Sequence, residues 1–156
     1  TFEPDLGEAR ALTFARGAAG SAMLQGRWVA PNELGPITWA SQSRIVLPAA
    51  SGWSIGAELV IEGFVFAPPA SALNGRRKIR IFTNGAEVLA LEAVNPGQDE
   101  SFLERIRVPL STGCRDRGGE LEIQFVFPEQ VSPLSLGLSA HDDRPIGLVP
   151  LRLWIA

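Results

Sequence analysis

Apolar and polar residues alternate with a period of two along much of this chain, and clusters of Pro, Gly, Ser and Asn interrupt the alternation at short intervals. Leu121, Ile123, Phe125 and Phe127 alternate with Glu120, Glu122 and Gln124. Successive side chains of an extended chain point to opposite faces, so this spacing predicts a strand with one apolar and one solvated face. Lys78 to Thr83 alternates in the same way and is followed by Asn84-Gly85 and then Glu87 to Leu91. An Asn-Gly pair accepts the positive φ angles of a type I′ turn, which predicts a hairpin with these two residues at its tip. Arg105 to Pro109, Ser43 to Pro48 and Leu148 to Ile155 read as further strands, with Ala11 to Ala15 as an N-terminal one. Ala57 to Phe66 is apolar nearly throughout, the pattern of a central strand with little solvent on either face.

Between these strands lie loops at 30–36, 49–56, 68–75, 95–100, 113–119 and 128–145, each rich in Pro, Gly, Ser or Asn. Strands about ten residues apart with such loops between them indicate an all-β sandwich or barrel of roughly eight to ten antiparallel strands. No helical periodicity extends beyond a turn or two. The last strand is expected beside an N-terminal one, in a single domain without internal repeat or linker. The opening Thr1-Phe-Glu-Pro has neither a starting methionine nor the basic and apolar regions of a signal peptide, so the chain reads as a module of a longer protein. The apolar stretch from Leu59 to Ala70 is broken by Glu62, Gly63 and two prolines and is short of the ~18 residues a membrane span requires.

Composition narrows the chemistry. The 156 residues carry a net charge of −3, with 46% hydrophobic and 20% charged residues, which argues against both disorder and a polybasic nucleic-acid binder. One histidine, His141, and one cysteine, Cys114, are too few for a zinc site and preclude an internal disulfide. His141 is followed by Asp142, Asp143 and Arg144, and a serine nucleophile elsewhere would complete a triad. Nothing resembles a Gly-x-Ser-x-Gly elbow, however, and adjacent residues of an extended loop point apart. The simpler reading is a loop fixed by Asp-to-backbone bonds and an Arg144 ion pair.

Glu33, Glu62, Glu104, Asp142 and Asp143 are candidates for a carboxylate pair, with Glu62 and Glu104 expected on outward, solvated strand faces. Asp142, Asp143 and loop carbonyls offer hard oxygen ligands for calcium, but without EF-hand spacing. Arg76, Arg77, Lys78 and Arg80 would join Arg105 and Arg107 in a basic stripe if their strands were neighbours, yet Glu87, Glu92, Glu104, Glu120 and Glu122 are expected to interleave with them.

Tryptophan is the most informative residue type. Trp28 and Trp39 flank a Pro31-Asn32-Glu33-Leu34-Gly35 turn, and Trp53 stands in Ser51-Gly52-Trp53-Ser54, all in segments read as loops. An exposed indole stacks on the apolar face of a pyranose while Asn, Asp, Glu and Arg bond its hydroxyls. Each tryptophan taken singly also fits a core plug.

Two segments together resemble a known family. Gly26-x-Trp28-x-x-Pro31-x-Glu33-x-Gly35-x-x-x-Trp39 is followed by the Asn84-Gly85 hairpin, and then by Ser132-Pro133, Gly137, Ser139, Asp142/Asp143, Arg144, Pro145 and Ile146-Gly147-Leu148. In order and approximate spacing this resembles β-sandwich accessory domains attached to bacterial glycosyltransferases and polysaccharide-biosynthesis proteins. Arg27 between Gly26 and Trp28, Asn32 before Glu33, and two aspartates in place of one depart from the pattern. The resemblance implies a jelly-roll, galactose-binding-like sandwich without catalysis. It also implies a shared site drawn from Trp28, Glu33, Trp39, Asp142 or Asp143, and Arg144. These residues equally fit a structural ion pair shielded by tryptophans.

The expectation is a non-catalytic, cofactor-free and metal-free module of a bacterial cell-envelope polysaccharide protein. Its ligand-binding candidates are Trp28, Asn32, Glu33, Trp39, Trp53, Asp142, Asp143 and Arg144. Its partner would be a bacterial glycan or the remainder of its own polypeptide, with no nucleic acid and no direct membrane insertion. A docking domain that binds no sugar is the alternative. An esterase or lyase would require His141 in a cleft with a serine or carboxylate.

Overall fold

The computed structural model describes residues 11–14, 18–29, 37–47, 58–110, 120–137, 140–141 and 146–155. Among these residues the chain forms nine strands and one 3-10 turn, Ala19–Met23. The strands are β1 (Leu12–Thr13), β2 (Leu24–Val29), β3 (Ile37–Leu47), β4 (Glu58–Phe66), β5 (Arg76–Thr83), β6 (Ala86–Val94), β7 (Ser101–Pro109), β8 (Leu121–Val126) and β9 (Leu148–Ile155). They pair antiparallel into a four-stranded sheet, β1-β9-β4-β7, and a five-stranded sheet, β2-β3-β8-β5-β6. From β3 onward the chain crosses repeatedly between the sheets, and only β5 and β6 follow one another within one sheet. This is a jelly roll, with β2 added at one edge. No helix among the described residues is long and apolar enough to cross a bilayer.

The alternation that marked the strands is the alternation that builds the core. Ile79 and Ile81 of β5, Leu121, Ile123 and Phe125 of β8, and Leu59, Ile61 and Val65 of β4 are fully buried between the sheets. β4 is an interior strand, hydrogen-bonded to β7 on one side and β9 on the other, as its continuous apolar run requires. Its second face is buried too, where Val60 lies in register with Trp154. β9 pairs with the N-terminal β1 through Leu12 to Leu153 and Thr13 to Arg152, as expected.

The Asn84-Gly85 hairpin is present, with φ of 47° and 85° at the two tip residues. Asn84 does more than turn the chain. Its amide nitrogen donates to Glu122 O at 2.9 Å, its side chain donates to Glu120 O at 3.3 Å, and Glu122 N donates to its Oδ1 at 2.8 Å. The tip thereby extends the β5–β8 pairing by a side-chain imitation of a strand residue.

Two expectations are corrected. The segment from Gly26 to Trp39 is not one loop: both tryptophans belong to strands, Trp28 to β2 and Trp39 to β3. Gly26, at φ 77°, opens a β-bulge that ends at Trp28, and this break in alternation hid the strand from a period-two reading. Glu62 and Glu104 are not solvated: Glu62 is 7% exposed, and Glu104 is partly buried. β5 and β7 belong to different sheets, so their cations share no common stripe, in line with the charge-mixed face expected from the interleaved glutamates. On β5, Arg76 bonds Glu92 at 3.0 Å and Arg80 bonds Glu87 at 2.7 Å, giving a charge-mixed face.

Candidate functional site

Strand directions divide the connecting segments between the two ends of the sandwich. The C-terminal ends of β4 and β8 and the N-terminal ends of β3, β5 and β9 lie at one end. Val29 and Ile37, which flank the segment holding Asn32 and Glu33, pair with each other there. His141 and Ile146, which flank the segment holding Asp142, Asp143 and Arg144, belong to the β8–β9 connection at the same end. Leu47 and Glu58, which flank the segment holding Trp53, lie at the opposite end, in register with Leu121 and Pro109. The topology thus separates the attachment points of Trp53 from those of the other candidates. Asn32, Glu33, Trp53, Asp142, Asp143 and Arg144 themselves lie outside the described residues, as does the side chain of Trp39.

Trp28 is half-buried, packs against the core cluster and donates from Nε1 to Gln25 O at 2.8 Å. Part of its ring therefore serves as a core plug. Trp154, the fourth tryptophan, is 4% exposed, with the guanidinium groups of Arg105 and Arg152 at 5.3 and 5.0 Å from its ring. Both arginines bond Glu62, Arg105 to Oε2 at 2.9 Å and Arg152 to Oε1 at 2.9 Å. Burial pushes the Glu62 carboxyl upward, but the two arginine hydrogen bonds outweigh it and hold the group below the usual carboxylate range.

Sequence reasoning missed Arg77. It shares a strand face with Ile79 and Ile81, is 1% exposed, and lies with its guanidinium 4.9 Å from the centroid of Phe127. Its Nη1 donates to Phe66 O at 3.2 Å, and its Nη2 donates to Glu129 O at 3.1 Å and Ile146 O at 2.7 Å. Burial lowers its pKa to about 10, with Glu129 acting in the opposite direction, so the group stays charged at neutral pH. The parity with Ile79 and Ile81 was the available signal; reading it as one of a run of cations obscured it.

The connection that Arg77 grips is ordered at its root. Ser132 N donates to Ser135 Oγ at 2.8 Å and Ser135 N to Ser132 Oγ at 3.1 Å, a reciprocal turn ended by Gly137 at φ 77°. Ile146 N donates to Val131 O at 2.9 Å and closes the two sides of the connection. The Ser132-Pro133 and Ile146-Gly147 elements of the resemblance are therefore architectural. His141 is exposed. A groove of about 330 Å³ on the outer face of β5 and β6 is lined by Lys78, Arg80, Ala90, Glu92 and Pro128, among others, and not by His141. Among the described residues no three His, Cys, Asp or Glu side chains converge as metal ligands.

No family model matches the chain. No curated protein matches it either. Solved structures do. An exo-β-1,3-galactanase from Phanerochaete chrysosporium aligns with 92% of this chain at 10% identity and a TM-score of 0.45, and the chain spans only 29% of that enzyme. A carbohydrate-binding module, CBM36, in complex with calcium and xylotriose aligns over 85% of this chain and 92% of its own, at 11% identity and a TM-score of 0.45. A family 35 carbohydrate-binding module from Clostridium thermocellum aligns over 86% and 89%, at 16% identity and a TM-score of 0.44. The assignment as a jelly roll rests on the strand order and pairing described above.

Proposed function

We propose that this chain is a non-catalytic carbohydrate-binding module whose site lies at the end of the sandwich where β2 meets β3 and β8 connects to β9. The observation that carries the reading is topological. Two segments about a hundred residues apart, one holding Asn32 and Glu33 and the other Asp142, Asp143 and Arg144, are anchored at the same end of one jelly roll, beside Trp28. That combination supplies an indole edge, carboxylates and an amide for sugar hydroxyls, and a guanidinium for an anionic substituent. Trp39 lies on β3, in the strand that begins at this end. The segment holding Trp53 is anchored at the opposite end, and the proposed site leaves it out. The ordered resemblance to accessory domains of bacterial glycosyltransferases and polysaccharide-biosynthesis proteins supports a bacterial envelope glycan as the ligand.

A second reading has its own support. Trp28 packs on the core with its indole N–H bonded to Gln25 O, and Ser132 to Gly137 closes on itself, so several motif residues act as struts. In that reading the module docks on the rest of its polypeptide. Calorimetric titration of the chain with neutral and acidic bacterial polysaccharides separates the two. The binding reading expects saturable heat that Glu33→Gln or Asp142→Asn reduces, whereas docking expects none.

A further inference from the structure

The carbonyl oxygens of Phe66, Glu129 and Ile146 come from the end of β4, the exit from β8 and the entry to β9, and all three accept from the buried guanidinium of Arg77. Three carbonyl dipoles turned toward one point inside a protein repel one another and demand a positive charge between them. Hard divalent cations commonly meet that demand with oxygen ligands. Here a side chain meets it. Arginine suits the task because its planar fork presents several donors at once and its charge persists even when buried.

Two of the three carbonyls, those of Glu129 and Ile146, stand on opposite sides of the β8–β9 connection and share the same Nη2. Val131 and Ile146 bridge those two sides directly through a backbone hydrogen bond of 2.9 Å. The aromatic wall is Phe127, whose ring packs against the α-carbon of Gly147 as well as under the guanidinium. Lys78 N donates to the Glu129 carboxylate at 3.1 Å, tying the exit side to β5 a second time. Among the described residues, separating the two sides of the connection breaks the bonds of Arg77 to Glu129 O or Ile146 O and the bond from Ile146 N to Val131 O.

We propose that Arg77 is the positioning residue for the β8–β9 connection, an internal cation that clamps its neck without a metal ion and so fixes Ile146, the anchor of the segment that carries Asp142, Asp143 and Arg144. The role in ligand binding rests on the carbohydrate reading above; the clamp itself does not. Arg77 is 1% exposed, and its effect is exerted through the carbonyls it holds.

The test compares the full chain with Arg77→Ala and Arg77→Lys by amide hydrogen exchange, reading the Ile146 amide against Ile61 and Ile106 of the four-stranded sheet. In Arg77→Ala the Ile146 amide is expected to exchange at least tenfold faster relative to those core amides. Millimolar methylguanidinium should restore most of that protection by filling the vacated space, a rescue that no general loss of stability would show. Arg77→Lys retains the charge with a single donor centre and should lie between the two, and it serves where Arg77→Ala does not fold. A chelator should leave Ile146 protection in the unmodified chain unchanged. Equal acceleration at Ile146, Ile61 and Ile106 in both variants, or protection in the unmodified chain that a chelator abolishes and calcium restores, would overturn the proposal. The polysaccharide titration is read separately. A chain that binds no glycan while Ile146 behaves as expected removes the binding reading and leaves the clamp. A chain that binds glycan equally well with Arg77→Lys, despite an opened neck, removes the positioning role and leaves the binding reading.

Discussion

The α-carbon of Gly147 lies against the ring of Phe127 so closely that a methyl group in its place would overlap Cε2, Cζ and Cδ2. Phe127 is 1% exposed, with the Arg77 guanidinium 4.9 Å from its ring centroid. Gly147→Ala is therefore expected to destabilise the fold by about 1–3 kcal/mol, the usual cost of overpacking. Urea denaturation of the two proteins reads the difference directly. An unchanged midpoint would mean that the ring can move aside.

Asn84 supplies both the turn geometry of the β5–β6 hairpin and two bonds to β8 through its side chain. Asn84→Gly keeps the turn and removes those bonds. A loss of about 1–2 kcal/mol is expected, from two hydrogen bonds at about 0.5–1.5 kcal/mol each offset by easier turn formation. Thermal or chemical unfolding checks it, with faster exchange at the Glu122 amide as the local signature.

Glu62 gives the fold a defined response to acid. Because its carboxyl is held below the ordinary value of 4.5 by Arg105 and Arg152, its contribution is complete above that value and is lost as pH falls through the lower folded one. Glu62→Gln should cost about 1–3 kcal/mol at neutral pH, as expected for charge-assisted bonds to a buried acceptor. Measured in steps of decreasing pH, the gap between the two proteins should narrow and close in acid. A gap independent of pH would assign the loss to packing.

Glu104 runs in the opposite sense. Burial raises its carboxyl above 4.5, with the Arg105 backbone N–H working weakly against this, so folding disfavours the charged form at neutral pH. Glu104→Gln is expected to stabilise the protein at neutral pH by something on the order of 0.5 kcal/mol. The gain should vanish below the unfolded carboxyl value, where both states are protonated. Paired unfolding curves at neutral and acid pH provide the comparison.

Period-two alternation carried most of the architecture because both sheets bury one face of each strand. β5, β7 and β8 could be read from their apolar parity, and the unbroken apolar run of β4 announced an interior strand. β2 could not be read, since the bulge between Gly26 and Trp28 breaks the alternation where the strand pairs with β3. The candidate site was legible only as residue types in order. What the sequence could not convey was which strand ends meet, and that fact separates the anchors of the segment holding Trp53 from those of the segment holding Asn32 and Glu33. Arg77 and Glu62 escaped for a common reason: a charge in a strand is expected in solvent, and only three-dimensional partners reveal a buried one.

The central claim is that one end of this jelly roll holds a sugar. Isothermal titration calorimetry of the chain against a panel of neutral and acidic bacterial polysaccharides tests it most directly, with Glu33→Gln and Asp142→Asn/Asp143→Asn as site variants and Glu62→Gln as a variant remote from the site. The account predicts saturable binding of at least one polysaccharide, lost in the site variants and kept in Glu62→Gln. Absence of binding across the panel by a correctly folded chain, or binding that the site variants leave intact, would contradict it.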